Sequence, residues 1–351
     1  EGKDMKKLLV SGAGGFVGAR IMTQLAGRYE LCAFPQGMLA AADEQTVADW
    51  MRHKQPDVIV HTAALSDTGY SEKHPDESYR ANVLLPCWMA AAAQKSGAKL
   101  VAFSSDQVYT GLTEHGPFDE DTPLSPANVY GRHKQEMEQR VLDILPDAVL
   151  LRAAWMYDLP GYGLPIRGNF LLNLLTAAMR QETLRFSARD YRGITYVREA
   201  VERLTQAMEL PGGVYNFGSD NDRSMVETAR QFAELLGISV AIEITNWHRN
   251  LRMDGCKAAA QGITFCSTQE GFARCLKEYN LSGGLAITAC SWRTAFLGTT
   301  SQSSLRDASS PGRGATGEEV KFTECQSLSY QERWHGVSRD GEVVQRRACQ
   351  L

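Results

Sequence analysis

Tyr130 and Lys134 stand four residues apart, so one helical face would carry a phenol and an ammonium together. Just upstream, Ser104-Ser105-Asp106 adds two hydroxyls and a carboxylate. These groups suit the reduction of a carbonyl. A nearby ammonium favours phenolate and should lower the tyrosine pKa toward working pH. Tyr130 could then give a proton to a carbonyl oxygen as hydride reaches the carbon, with Ser105 hydrogen-bonding the same oxygen. Lys134 could also hold a ribose. Because Tyr-x-x-x-Lys is common by itself, the reading depends on a second motif about a hundred residues earlier.

That motif is Ser11-Gly12-Ala13-Gly14-Gly15-Phe16-Val17-Gly18, which follows the apolar run Leu8-Leu9-Val10. An apolar strand, a glycine turn and a helix beginning at Phe16 form a phosphate cradle. Glycines allow a tight turn and close approach, and the helix start offers free N–H groups and a positive dipole end. Gly12, Gly15, Phe16, Val17 and Gly18 are therefore candidate contacts to a dinucleotide. The two motifs in this order point to a nicotinamide-dependent enzyme.

Repeated strand and helix signals must position these groups. Strands are expected at 29–34, 57–61, 99–103 and 148–152, and helices at 46–53, 76–96 and 129–145, with Pro86 perturbing the second helix. This alternation implies an α/β fold, a Rossmann-type doubly wound parallel sheet with a smaller C-terminal substrate-binding lobe. Residues 1–157 would form the dinucleotide-binding domain, with segments near 190–220 returning to it. Residues 158–282 would mainly build the lobe: a Gly/Pro-rich loop at 158–168, helices at 169–181, 197–210, 225–236 and 272–279, and a strand at 213–217. Gly237 would stop the third of these helices. Residues 283–351 are rich in Gly, Ser, Thr and Arg and lack a helical or strand period, so a poorly ordered or non-native-like tail is expected, with a small interaction segment as the alternative.

Composition narrows the class. The 351 residues include 37 Lys and Arg against 41 Asp and Glu, a net charge of -4, so no electrostatic signature of nucleic-acid binding exists. No apolar stretch is long enough to span a membrane, and no signal peptide is expected ahead of the first strand. The 8 cysteines are scattered, without Cys-x-x-Cys pairs or zinc spacing, so no metal is expected and a reducing cytoplasm is the expected location.

With these motifs on the page, the chain resembles the extended short-chain dehydrogenase/reductases over roughly residues 5–282. The shared pattern is Gly12-x-x-Gly15-x-x-Gly18, His61-Thr62-Ala63-Ala64, Asn82, Ser105 and Tyr130-x-x-x-Lys134. Within that superfamily it is most similar to the dTDP-4-dehydrorhamnose reductase family. Ser104-Ser105-Asp106-Gln107-Val108-Tyr109, Arg152-Ala153-Ala154-Trp155, Gly168-Asn169-Phe170 and Arg192-Gly193-Ile194-Thr195-Tyr196 carry that likeness.

The resemblance implies NADPH or NADH as cofactor and a nucleotide-linked 4-keto-6-deoxy sugar as substrate. It implies catalytic roles for Ser105, Tyr130 and Lys134, cofactor contacts that include Ala63 and Ala64, and a substrate site with Asp106, Trp155 and Asn169. A homodimer is left open. The chain departs from the pattern at Ile194, where a proline is usual, at Phe16-Val17, and at Gln107. Gln107 replaces the acid that sugar-nucleotide dehydratases need. After Phe34 come Pro35, Gln36 and Gly37, with neither a carboxylate for NAD nor an arginine for a 2′-phosphate, so dual use of NADH and NADPH is expected. A nucleotide-sugar epimerase and a non-catalytic nucleotide-binding regulatory subunit are the alternatives. A pure binding subunit, however, would have no need of a tuned phenol. His61 is read as a packing or hydrogen-bonding residue, and Asn82 as a support for the local backbone.

Overall fold

A computed structural model describes residues 5–37 and 43–281; the tail expected at 283–351 lies outside these residues. Six parallel strands form the main sheet in the order β2-β1-β3-β4-β5-β9. They are β1 (Lys7–Ser11), β2 (Glu30–Ala33), β3 (Val58–His61), β4 (Lys99–Ser105), β5 (Val149–Ala153) and, later in the chain, β9 (Gly213–Phe217).

Strand side chains alternate between the two faces, and so do their partners. Leu8, Val10, Val58, Val60, Val101, Val149 and Leu151 pack on one face with Ile21 of α1 (Phe16–Gln24) and with Leu25, which caps that helix. Val197, Val201 and Leu204 of the later helix Val197–Ala207 complete that layer. Leu9, Ile59, Leu100, Ala102 and Leu150 face the other way, toward α2 (Glu44–Lys54), the helix Leu85–Ser96 and the helix Val129–Ile144. The α/β fold with a parallel central sheet is therefore as the sequence implies. No helix among the described residues is long and apolar enough to cross a membrane.

The helix expected at 76–96 is divided. Short helices α3 (Thr68–Lys73) and α4 (Pro75–Tyr79) lead into one π-helical turn, Arg80–Leu84, and then α5 (Leu85–Ser96). Pro86 lacks an N–H and its ring crowds the preceding turn, so a wider turn just before it accommodates both deficits. That turn holds Asn82 inside, where Nδ2 donates to the Leu65 carbonyl at 2.9 Å and to Ser78 Oγ at 3.1 Å. After β4 comes a 3-10 turn, Asp106–Tyr109, and then α6 (Val129–Ile144).

After β5 the chain leaves the main sheet. β6 (Trp155–Tyr157) pairs with β8 (Ile194–Tyr196), and β7 (Thr183–Arg192) pairs with β10 (Ala241–Leu251). The helices here are α7 (Phe170–Arg180), α8 (Val197–Ala207), α9 (Met225–Leu236), α10 (Cys256–Ala259) and α11 (Thr268–Glu278). An aromatic core of its own joins β6, β8, α7, α9 and α11: Phe232 and Phe272 stack at 3.7 Å, and Tyr157 and Tyr196 at 5.8 Å. α9 has a full capping box, Ser224 with Glu227, and ends in the left-handed Gly237.

Candidate active site

The glycine turn leaves no room for side chains where the backbone is tightest. Gly12 has φ +76°, and a Cβ there would lie 2.8 Å from the Ala63 nitrogen. A Cβ on Gly18 would lie 2.1 Å from the Gly12 carbonyl oxygen. Gly15 begins α1 with no side-chain cap, and the first turn carries no acid. The leading N–H groups thus meet no competing carboxylate, and the cradle fits a dinucleotide pyrophosphate. Phe16 and Val17 offer backbone N–H groups here while their side chains pack on the first core layer. The Phe16 ring also lies under the Arg20 guanidinium, 4.1 Å from its centre. Ala64 is exposed beside this turn, and a Cβ on Gly14 would lie 3.3 Å from Gln36 Oε1, so a neutral amide stands over the cradle.

Across the sheet, α6 brings Tyr130 to the end of β4. Asn128 caps the helix by accepting from the Gly131 N–H at 2.7 Å, and its Nδ2 donates to Gln107 Oε1 at 3.1 Å. A Cβ on Gly131 would lie 2.5 Å from the Gln107 carbonyl oxygen. Glycine after Tyr130 is therefore what lets the helix start approach the 106–109 turn. Tyr130, Lys134 and Glu138 then fall on one buried face, each a helical turn apart.

Three layers of contacts follow along that face. Ser105 lies beside the Tyr130 phenol, near enough for its hydroxyl to act on it. One turn further, Lys134 Nζ donates to the Phe103 carbonyl at 2.9 Å. One turn beyond that, Glu138 accepts from Ser104 Oγ and takes a two-pronged ion pair from Arg152, with Nη2 to Oε2 at 2.7 Å. Arg152 also donates to the Tyr109 hydroxyl at 2.7 Å, which donates in turn to Asn216 Oδ1 at 2.9 Å. This network ties β4, α6, β5 and β9 together directly behind the site.

Burial governs the titrating groups. It pushes the Tyr130 phenol up to about 12, with the Ser105 hydroxyl and the Arg167 charge opposing the rise and Asp106 adding to it. The expectation that Lys134 lowers this pKa is corrected: desolvation outweighs every favourable charge, and Lys134 Nζ lies 5.8 Å from the ring centre, directed at Phe103. Tyr130 is a phenol at neutral pH and so a proton donor. The same burial pulls Lys134 down to about 8 against the opposing charge of Glu138. His61 is also buried and drops to about 3, through desolvation and the Lys134 charge, while its Nδ1 shares a 2.6 Å hydrogen bond with Ser11 Oγ.

The substrate candidates separate. Asp106 is buried beside Ser105, with Oδ1 3.3 Å from Ser105 Oγ, and it pairs through Oδ2 with Arg192. Arg192 also lies over the Trp155 ring, 5.1 Å from its centre. Arg192 thus joins Asp106 to Trp155, a link no spacing rule reveals, although Arg192 opens one of the motifs that carry the resemblance. Asn169 is elsewhere: only 1% exposed, it caps α7 by accepting from the Leu172 N–H at 3.1 Å. Its Nδ2 donates to the Asp158 and Arg167 carbonyls at 3.2 and 3.1 Å. Its amide supports the loop rather than facing a ligand.

Comparison with known proteins agrees with this arrangement. Residues 5–274 match the RmlD substrate binding domain family. The chain is similar to the spore coat polysaccharide biosynthesis protein SpsK of Bacillus subtilis (strain 168), 31% identical over 240 residues, covering 68% of this chain and 82% of that one. It is also similar to a dTDP-4-dehydrorhamnose reductase of Aggregatibacter actinomycetemcomitans, 28% identical over 222 residues, 61% of this chain and 73% of that one. Among solved structures, a dTDP-4-dehydrorhamnose reductase from Bacillus anthracis in complex with NADP superposes with a TM-score of 0.72 at 22% identity, covering 79% of this chain and all of that one. The glycine cradle, the Ser105–Tyr130–Lys134 face and the match over most of the chain lead to one assignment: the protein belongs to the RmlD substrate-binding-domain family.

Proposed function

We propose that this chain is an NAD(P)H-dependent reductase of a nucleotide-linked 4-keto-6-deoxy sugar. The observation that carries the reading is the buried Tyr130 phenol beside Ser105 at the end of β4, one helical turn from the buried Lys134 on the same face. Gly12, Gly15, Gly18 and the first N–H groups of α1 would hold the dinucleotide, and Lys134 its ribose. When bound, the reduced nicotinamide supplies the hydride. Tyr130 gives its proton to the ketone oxygen, and Ser105 hydrogen-bonds that oxygen as negative charge grows on it. Asp106 and Trp155 face the sugar. The neutral Gln36 beside the cradle supports use of both NADH and NADPH.

The test is oxidation of each cofactor in the presence of dTDP-4-keto-6-deoxy sugar generated in situ. Substrate-dependent oxidation is expected with both cofactors, and Tyr130→Phe should lower turnover by about a hundredfold or more while cofactor binding persists. Undiminished turnover in Tyr130→Phe would remove the mechanism. A cofactor that stays bound through purification, with no net oxidation, would transfer the reading to an epimerase.

A further inference from the structure

We infer that Arg167 is an anion-binding residue at the mouth of the catalytic crevice, and that it takes the diphosphate of the nucleotide-sugar substrate. The inference rests on the nucleotide-sugar reading above and assigns that substrate's charge to one side chain.

The loop from Asp158 to Gly168 forms an arch whose two feet are pinned. Asn169 Nδ2 holds the carbonyls of both Asp158 and Arg167, and it does so from a fully buried position. Arg20 reaches the arch from α1, pairing with Asp158 Oδ2 at 2.6 Å and donating to the Pro165 carbonyl at 3.1 Å. The crown is free: Tyr162 is fully exposed, and Gly163 takes a left-handed turn at φ +69°. Arg167 sits at the pinned foot, so its starting point is fixed although its side chain is exposed.

From there the guanidinium crosses to the segment after β3 and donates to Ser66 Oγ. It also lies close enough to the crevice for its charge to act on the Tyr130 phenol. A guanidinium carries five N–H donors in a planar fork, and a serine hydroxyl occupies one of them. Arg167 makes no ion pair with any described residue, unlike Arg20, Arg152, Arg192, Arg249 and Arg252, each of which faces a carboxylate. A cation left to a neutral partner at a crevice mouth suits a phosphate oxyanion, which takes two donors at once. Ser66 is then its resting partner, and the diphosphate replaces or shares it.

The experiment is calorimetric titration of the NADPH-loaded protein with dTDP and, separately, UDP. Arg167→Gln should weaken nucleoside diphosphate binding about tenfold or more, equal to 1.4 kcal/mol or more, with Arg167→Lys restoring part of the loss. NADPH affinity of the unloaded variant should match the parent, which also shows that the fold is intact. Equal diphosphate affinity in parent and Arg167→Gln would overturn the inference and leave the reductase reading standing. A parallel loss of NADPH affinity would overturn it too, by giving Arg167 to the cofactor's phosphates. Failure of the parent to bind either nucleotide would overturn the nucleotide-sugar reading itself, and the inference with it.

Discussion

On one face of α6, burial acts on an acid and a base in opposite senses. It raises the Tyr130 phenol and depresses the Lys134 ammonium, because in each case the charged form is the one that loses water. Tyr130 is kept neutral at no cost, whereas Lys134 bears one. Between about 8 and 10.5 the unfolded chain binds a proton that the folded chain has released, so stability rises with pH across that window. Below it the folded state carries the whole cost, about 3 kcal/mol. Lys134→Met is therefore expected to be more stable than the parent at pH 7 while losing turnover, with the advantage shrinking toward pH 10. Urea unfolding at the two pH values checks this. A variant less stable than the parent at pH 7 would mean that the bond to Phe103 outweighs the desolvation.

Elements in which spacing mirrors burial could be read from the chain alone, and others could not. The main-sheet strands are runs of Leu, Val and Ile, and the Tyr/Lys pair announces itself by helical spacing. β7 hides because only Leu184 and Phe186 alternate as apolar residues, while its fully buried positions are Ser187, Asp190 and Arg192. β10 hides because most of it is exposed or half-buried. The pairings of Arg192 and Arg167 are silent for a related reason: their partners, Asp106 and Ser66, are supplied by tertiary folding from distant segments. The glycine cradle, by contrast, is local and its geometry can be tested at single positions. Gly18→Ala should cost about 1–3 kcal/mol and weaken cofactor binding about tenfold or more, since its Cβ would sit 2.1 Å from backbone. Gly14→Ala, which meets only the tip of Gln36 at 3.3 Å, should be mild in both respects. Thermal melts and cofactor titration of the pair separate the two positions, and equal behaviour would show that the turn relaxes.

For the molecule as a whole, Asp158 is the point where separate layers meet. It is fully buried, pairs with Arg20 of α1 at 2.6 Å, accepts from the Tyr279 hydroxyl at 2.9 Å and lies 3.8 Å from Arg198 of α8. Removing Arg20 leaves that carboxylate short of its closest countercharge. Arg20→Met should cost about 3–5 kcal/mol in denaturant unfolding, and adding Asp158→Asn should return part of it. A loss under about 1 kcal/mol would mean that Tyr279 and Arg198 satisfy the carboxylate unaided.

The same pinning bears on how sequences of this kind can diverge. Asn169 and Arg20 hold the arch only at its feet, so the residues between Leu159 and Leu164 carry no duty toward the chemistry. Changes of length and composition there are expected to leave Arg167 and the cap of α7 in place. In practical terms, the crown around Tyr162 and Gly163 is the natural place to graft a fluorophore or an epitope.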